Sequence, residues 1–455
     1  MSMNRRRFLK RAARAAAGTA AFPLVVPASA LGKDGAVAPS NRIVVGCIGV
    51  GWQGMNNLRG FLRQPDVEVA AVCDVCRKST DYFMGNVTAG LEPAREAVED
   101  YCASRTTSGQ YKGCSAYTDF RDLLLRRDID AVTVCTPDHW HGVIGVAAAR
   151  AGKDIYCEKP LANSVAEGRA ICDAVSRYGR ILQTGSHERS NDSVRLACEL
   201  VRNGRIGELG AIRVNMPNDE PHHAQVRENC DPKPTMPVPA GFDYDRWLGR
   251  APWAPYTKMR CHFWWRFILD YGGGEMTDRG AHIIDLAQFV NDADSTGPVE
   301  LSATGKAPRE GLFDTFMEYQ FQCRYANGVR MIGESVAPRG IRFEGADGWI
   351  FVHIHGGRLE AEPESLLTER IGPNEIHVGR TRGDHRRDFL DAVRSRSQPV
   401  APAEAGHRTA TICHLLNIAM RTGQTLAWDP QAERITNVPE LNRLLVPPMR
   451  GAWSA

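Results

Sequence analysis

The chain has 455 residues, of which 43% are hydrophobic and 24% are charged. These fractions are typical of a soluble globular protein, and the length allows two domains. The formal net charge is +3, but residues 1–30 hold six basic side chains and no acidic one, so the remainder carries −3. A mildly acidic remainder gives no support for nucleic-acid binding.

The first thirty residues have the pattern of an export signal. A basic head, "NRRRFLK", precedes an apolar run and a small-residue cleavage site, "ASA". The head resembles the twin-arginine signal, which exports proteins that are already folded. The apolar run is too short and too interrupted to span a bilayer. We predict a signal peptide over 1–30, a linker over 31–41 and a periplasmic protein without stable membrane insertion. The alternative is an ordinary secretory signal or a disordered basic tail.

A short β-branched strand, "RIVVGCI", leads into the glycine loop "GVGWQG" and then into a helical segment. Strand, G-x-G-x-x-G and helix together form the context of a dinucleotide-binding loop. Gly49 makes the tight turn, Gly51 lets the backbone approach the pyrophosphate, and Gly54 lets the helix pack on the strand. The next strand ends at Asp74, where a carboxylate accepts ribose hydroxyls and repels a 2′-phosphate. The pattern therefore predicts NAD, with NADP less favoured.

Two further buried strands, "DIDAVTVCTP" and "KDIYCEKP", alternate with helices. This alternation predicts a doubly wound parallel sheet of the Rossmann type over 42–186, with ligands at the carboxyl ends of its strands. We expect Arg77 either along the adenine or as a surface charge. The predicted cofactor-binding residues are Gly49, Gly51, Trp52, Gln53, Gly54, Asp74, Arg77, Thr136, Pro137, His141, Glu158 and Lys159.

The sequence predicts no metal site and no disulfide framework. His139 and His141 have a spacing that could suit metal ligands, but no acid or cysteine completes the set, so we expect cofactor contacts or packing. The chain has 13 cysteines, an odd number at scattered spacings. Such cysteines are typical of buried free thiols.

The pattern changes at about residue 187. A helix, "DSVRLACELVRNG", is followed by long alternating strands with Asn-Gly and Asp-Gly turns. This indicates an α+β domain over 187–430 with a large open mixed or antiparallel sheet. Residues 431–455 form a proline-punctuated arm that we expect to wrap a neighbouring surface.

Four segments, "GVGWQG", "CTPDHWH", "YCEKP" and "DRGAH", resemble the Gfo/Idh/MocA family of sugar and polyol oxidoreductases. The resemblance covers almost the whole chain after the signal. It implies a sugar or glycoside substrate and a homo-oligomer, dimer or tetramer, formed through the C-terminal sheet. One departure is Arg279, where an exported branch of the family often has Trp, and this residue bears on what lines the pocket.

The resemblance places catalytic roles at Lys159, Asp278 and His282. Removing hydride from a carbinol carbon needs a base for the hydroxyl proton and a cation for the developing alkoxide. Whether Lys159 or His282 accepts the proton stays open. The segment "YGGGEMTDRGAHIIDLAQFV" fits these roles, since it predicts flexible glycines followed by an amphipathic helix whose N-terminal turn carries Asp278 and His282. The alternative is a surface or capping Asp/His pair and a simple turn. Pro160 is expected to carry a cis bond.

An aromatic insert precedes the catalytic helix, and aromatic rings beside polar groups suit a pyranose. The predicted substrate-binding residues are Arg189, Trp264, Trp265 and Arg266. The alternative is that the two tryptophans are core.

Three functions remain open from the sequence. The first is an NAD-dependent oxidoreductase acting on a sugar, glycoside or cyclic polyol, with a tightly bound cofactor that is recycled in the site. The second is a redox-neutral glycoside hydrolase or epimerase that oxidises C3 transiently. The third is a non-catalytic sugar-binding protein, against which the intact trio counts.

Overall fold

The computed structural model describes residues 37–228, 234–379 and 383–446 together with Arg450. The predicted signal peptide and most of the linker lie outside these residues. The chain divides into two compact units, Met1–Arg42 and Ile43–Ala455. In the first unit the described part contains a 3₁₀ turn over Pro39–Asn41. The second unit contains both large sheets.

The N-terminal half of this unit is a parallel sheet between helices. Its strands are β1 Ile43–Ile48, β2 Val67–Cys73, β3 Ser79–Asp81, β4 Val87–Ala89, β5 Ser115–Tyr117, β6 Ala131–Val134, β7 Asp154–Cys157 and β8 Leu182–Thr184. Six of them form one sheet in the order β5-β2-β1-β6-β7-β8, with every neighbouring pair parallel, and β3 and β4 form a separate hairpin. The helices are α1 Trp52–Leu62, α2 Leu91–Ala103, α3 Phe120–Leu124, α4 His141–Arg150 and α5 Val165–Arg177.

Both faces of this sheet are buried, which explains why its strands are continuous apolar runs. Residues of α3, α4 and α5 pack on one face. Residues of α1 and α2 pack on the other face, together with Phe389 and Leu390 from a helix near the C-terminus. The predicted doubly wound parallel sheet is therefore confirmed.

The C-terminal half contains a nine-stranded mixed sheet, as the sequence predicts. Its strands are β9 Leu209–Asn215, β10 Glu300–Lys306, β11 Glu318–Arg324, β12 Arg330–Glu334, β13 Gly340–Gly345, β14 Trp349–His353, β15 Leu359–Glu362, β16 Leu426–Asp429 and β17 Arg434–Ile435. They lie in the order β15-β14-β13-β9-β12-β11-β10-β16-β17, and only the β12–β9 pair among them is parallel. The helices are α6 Asp192–Arg202, α7 Pro221–Glu228, α8 Tyr244–Leu248, α9 Glu275–Asp278, α10 Gly280–Val290, α11 His385–Ser395 and α12 Ala403–Thr422.

One expectation for this half is corrected. The helix that follows Asp278 is not amphipathic, because all 11 residues of α10 are buried. It packs against α12 and contributes to the same core as the sheet. The described part of the C-terminal arm packs on the C-terminal half of the chain, since β17 pairs with β16 and both Leu441 and Leu445 are buried in the C-terminal core. That the arm wraps a neighbouring surface stays a prediction.

The 12 cysteines within the described ranges are free thiols, and most are buried. Among the described helices, none is both long enough and apolar enough to cross a bilayer.

Candidate active site

One cavity of about 400 Å³ connects the two halves of the second unit. Its N-terminal wall is formed by the loops that follow β1, β2, β6 and β7. Its C-terminal wall is formed by residues between His262 and His282, with further side chains from five other segments. The volume is within the range of small-molecule sites.

The glycine loop lies tight against the end of β6. Gly49 has a φ of +77°, and a Cβ there would be 2.7 Å from the backbone of Cys135. A Cβ at Gly54 would be 2.1 Å from the carbonyl oxygen of Gly49. Helix α1 begins directly after Gly51, and no side chain caps its first N–H groups. The loop therefore leaves a bare helix N-terminus at the cavity, which fits the pyrophosphate of a dinucleotide.

Asp74 joins the end of β2 to this loop. Its carboxylate accepts hydrogen bonds from the backbone N–H of Val50 at 2.8 Å and of Cys76 at 2.8 Å. Burial raises the pKa of Asp74 to about 6, against the lowering effect of these hydrogen bonds. Each carboxylate oxygen keeps a second acceptor site, so Asp74 can still receive ribose hydroxyls. It lines the cavity.

Glu158 is buried at the end of β7 and is held by α1. Its carboxylate accepts from Asn57 Nδ2 at 2.7 Å and from Gln53 Nε2 at 3.1 Å. Thr136 and Pro137, which follow β6, line the same wall. The strand ends thus bring most of the predicted cofactor-binding residues to one surface.

Lys159 extends from this wall toward the second half of the site. The Lys159–Pro160 peptide bond is cis, as predicted. The Lys159 ammonium donates to the backbone carbonyl of Asp278 at 3.0 Å and forms an ion pair with its carboxylate. Burial alone would raise the pKa of Asp278, but the charges of Lys159 and Arg266 outweigh it and lower that pKa. Asp278 is therefore an anion that holds Lys159 in place.

His282 lies one helical turn beyond Asp278 and also lines the cavity. Arg279 between the two helices keeps helical angles, so Asp278 and His282 share one face. Burial, followed by the charge of Lys159, holds the pKa of His282 well below its ordinary value. The imidazole is neutral near pH 7, and within the described residues its buried Nδ1 has no hydrogen-bond partner.

Trp265 and Arg266 also line the cavity. The guanidinium of Arg266 lies over the Trp265 ring, 4.5 Å from its centre, and its Nε is 3.6 Å from the Asp278 carboxylate. Because Arg266 covers one face of the ring, that face is not available to stack on a sugar. Arg266 is the polar group that the pair presents to the cavity.

Two predicted substrate contacts are corrected. Arg189 is completely buried and donates to Asp285 and Asp294, with four hydrogen bonds of 2.7 to 2.8 Å. Its charge is satisfied inside the protein, so it does not reach the cavity. Trp264 packs on Phe263 and Phe313 in the aromatic core and is not part of the cavity wall.

Two predicted cofactor contacts also lie elsewhere. Arg77 is mostly exposed, pairs with Glu92 at 2.6 Å and lines a separate shallow hollow. This is the surface-charge alternative. His141 is buried behind the wall, with its ring nitrogens 2.8 Å from the carbonyl of Pro160 and 2.9 Å from that of Thr136. It braces the ends of β6 and β7 from behind.

Several lining residues escaped the sequence interpretation. They are Asp138, His187, Glu220, His222, Arg279, Arg339 and His355. Asp138 lies inside the recognised "PDHWH" segment, and Arg279 was visible as a departure from the family pattern. The others come from separate segments, and no local pattern marks them.

A dinucleotide loop at one end and a lysine–aspartate pair with a neutral histidine at the other define an NAD-binding oxidoreductase. Comparison with known proteins agrees. The NAD-binding Rossmann fold of the Gfo/Idh/MocA oxidoreductase family matches residues 43–186, and the C-terminal alpha/beta domain of that family matches residues 223–455. The chain therefore belongs to the Gfo/Idh/MocA family.

A glycosyl hydrolase family 109 protein of Shewanella pealeana is 32% identical over 222 residues, which are 46% of this chain and 45% of that protein. The chain thus matches less than half the length of this curated relative. A levoglucosan dehydrogenase of Pseudarthrobacter phenanthrenivorans is 26% identical over 335 residues, 69% of this chain and 71% of that protein. The solved aldose-aldose oxidoreductase of Caulobacter crescentus is 19% identical, with a TM-score of 0.59 over 85% of this chain and 99% of that one.

Proposed function

We propose that this protein oxidises a ring hydroxyl of a sugar, glycoside or cyclic polyol, using an NAD that stays bound and is recycled in the site. The observation that carries the proposal is the meeting of Lys159, Asp278 and His282 in the cavity that begins at the glycine loop. When bound, NAD supplies the acceptor for the hydride of the carbinol carbon. The relative named levoglucosan dehydrogenase supports a sugar substrate.

The residues have distinct roles in this proposal. His282 accepts the hydroxyl proton, because its lowered pKa keeps the imidazole unprotonated and leaves a nitrogen lone pair free. Lys159 donates a hydrogen bond to the same oxygen and stabilises the negative charge that develops there. Asp278 orients Lys159 through the ion pair between them, and Arg266 contacts a neighbouring hydroxyl. We thus propose His282, rather than Lys159, as the proton acceptor.

A second candidate is a redox-neutral glycoside hydrolase or epimerase. The similarity to a glycosyl hydrolase family 109 protein favours it. A transient ketone at C3 acidifies the adjacent C–H, the glycosidic bond breaks by elimination, and the hydride returns after water adds. The same three side chains would serve its first step.

Location and assembly follow from the same proposal. We propose export to the periplasm by the twin-arginine route, since a folded protein carries its cofactor with it. We also propose a homodimer or homotetramer formed through the open face of the nine-stranded sheet. Alternate side chains of β11 are exposed there, among them Gln320 and Gln322. Light scattering of the purified protein measures the assembly, and cell fractionation measures the location.

The test of the activity uses protein purified without added nucleotide. Denaturation should release NAD or NADH, and a panel of pyranosides and pyranoses should reduce the bound NAD, read at the nicotinamide absorbance band. A glycoside that is cleaved without net nicotinamide reduction would favour the second candidate. Protein that repeatedly releases no nicotinamide nucleotide would contradict the bound-cofactor proposal.

A further inference from the structure

Beside His282, the cavity wall holds two histidines and a glutamate from separate segments. His187 and Glu188 begin the 3₁₀ turn after β8, and His355 follows β14. One oxygen of Glu188 is 2.9 Å from His355 Nδ1 and 3.6 Å from His187 Nε2. One ligand-type atom from each residue lies within 4.8 Å of the other two. Three such atoms already close together need little movement to surround one ion.

The three side chains differ in solvent exposure, and this difference indicates which side of the cluster faces the cavity. Glu188 is 3% exposed, whereas the side chains of His187 and His355 are 48% and 42% exposed. Both imidazoles line the cavity. The cluster therefore has a buried carboxylate behind and two imidazoles in front, with its open side toward the site. Catalytic metal centres have this form, with three protein ligands and one position left for water or substrate.

The backbone at His355 is a second observation. Its φ is +65°, in the left-handed region that residues other than glycine rarely adopt. Glu188 accepts the His355 backbone N–H at 3.2 Å, which helps to hold this conformation. Unfavourable backbone angles that the surrounding structure enforces are concentrated at functional sites. Here they direct the His355 ring into the cavity.

His282 provides a third observation. Its ring centre is 4.8 Å from that of His187 and 5.4 Å from that of His355. The His282 side chain is buried, and its Nδ1 has no partner among the described residues. A polar atom left unsatisfied beside a cluster of ligands indicates that something else completes the site.

A second cluster in the cavity region is less suited to binding a metal ion. His222, His223 and Glu275 are all buried, and their ligand-type atoms are equally close. However, Arg279 Nε is 2.9 Å from the second oxygen of Glu275 and neutralises it. In the described part of the chain, the ion pairs of Glu188 are those with His187 and His355. The two clusters therefore differ in whether an arginine side chain already pairs with the carboxylate.

We propose that His187, Glu188 and His355 bind one divalent transition-metal ion, with an open coordination position facing the cavity. Two imidazoles and one carboxylate suit zinc and its first-row neighbours rather than magnesium or calcium. An oxygen of the substrate occupies the open position, and the ion stabilises negative charge on that oxygen. Only this last role rests on the proposed function, since ion binding itself requires no sugar.

The test uses the full protein with its nucleotide, freed of metal by dialysis against a chelator. Co²⁺ is titrated in, its visible absorbance is followed, and Zn²⁺ is then added as a competitor. The wild type is expected to bind one Co²⁺ per chain with a spectrum typical of nitrogen and oxygen ligands. Glu188→Gln and His355→Asn are expected to weaken binding by more than about 100-fold, beyond the usual effect of residues outside the ligand set.

The matched control is His223→Asn, the same substitution in the cluster that Arg279 neutralises, and it should leave Co²⁺ binding unchanged. Asn tolerates the left-handed backbone at position 355, and Glu188→Gln keeps the shape of the side chain. Circular dichroism and nucleotide content verify that each variant is folded. A wild type without saturable Co²⁺ binding would overturn the proposal. Binding that survives both ligand variants but fails in the control would overturn it equally.

Discussion

The two ends of the cavity are built in different ways. At the cofactor end, Asp74, Thr136 and Glu158 each lie within two residues of the end of a parallel strand. At the substrate end, the lining side chains come from segments more than a hundred residues apart, such as His187 and His355. Parallel strands in register bring their carboxyl ends together automatically. The substrate end has no such rule, because it depends on how one sheet and several loops pack.

Local sequence pattern determines function at the cofactor end of the cavity but not at the substrate end. The cofactor end uses a motif whose spacing has a physical reason at each position. The substrate end is free to vary, and the replacement of an expected Trp by Arg279 is one example. We therefore expect changes at the cofactor end to affect every substrate equally, and changes at the substrate end to discriminate among sugars.

The largest effect should come from Lys159, where the two ends meet. Lys159→Ala removes the cation that stabilises the developing alkoxide, and general acid–base groups typically contribute about 10²–10⁴-fold. Turnover should fall by that order while the nucleotide content stays the same. Lys112→Ala, an exposed surface lysine, is the control and should be unaffected. A Lys159→Ala variant that keeps wild-type turnover would show that Lys159 does not take part in the reaction.

Substitution of Asp74 tests cofactor binding at the cofactor end. Asp74→Ala removes a charged acceptor and the tie between the glycine loop and β2, so NAD affinity should fall by about 10–150-fold, as for loss of a charged hydrogen bond. Discrimination against NADP should relax. Arg77→Ala is the matched control, and its effect should stay within about twofold, as for most surface changes. Titration calorimetry on nucleotide-free protein measures both.

An unchanged preference for NAD over NADP in Asp74→Ala would show that Asp74 has no role in cofactor choice. A large loss of affinity in Arg77→Ala would instead indicate that Arg77 contacts the adenine, contrary to its position in the structure.

Much of the fold was predictable, and the reason differs between elements. The strands of the parallel sheet are short apolar runs with a helix between them, and the Asn327-Gly328 turn marks the β11–β12 hairpin. The prediction that helix α10 is amphipathic was wrong, because the helix is fully buried and has no polar face exposed to solvent. The role of Arg189 was also misjudged, since its partners Asp285 and Asp294 are about a hundred residues away.

The adjacent tryptophans test the substrate end. Trp265→Ala removes the ring on which Arg266 rests, and a cation–π contact is worth about 0.5–2 kcal/mol, so KM should rise by about 2–30-fold. Trp264→Ala removes a core ring and should lower the free energy of unfolding by about 3–5 kcal/mol without a comparable change in KM. Substrate kinetics and chemical denaturation distinguish the two. If neither variant changes KM, both rings are structural. If both variants raise KM equally, both rings face the sugar.

The smallest effect is a displacement of the pH profile. The pKa of His282 is lowered from its ordinary value of 6.5, so the imidazole stays unprotonated in more acidic solution. The acidic limb of the rate of bound-NAD reduction should therefore have its midpoint below pH 6.5, since protonated His282 cannot accept a proton. The limb should disappear in His282→Ala. A midpoint above 6.5 would assign that limb to another group.

In the proposed reaction, the sugar gives its hydride to the NAD held at the cofactor end and its hydroxyl proton to His282 at the substrate end. The most direct measurement is a single-turnover experiment in which a reactive pyranoside is mixed with protein carrying its own NAD. If this reaction occurs, we expect rapid reduction of the bound nicotinamide in the wild type and reduction slowed by about 10²–10⁴-fold in His282→Ala, with equal nucleotide content in both. Reduction at the same rate in both proteins would contradict it.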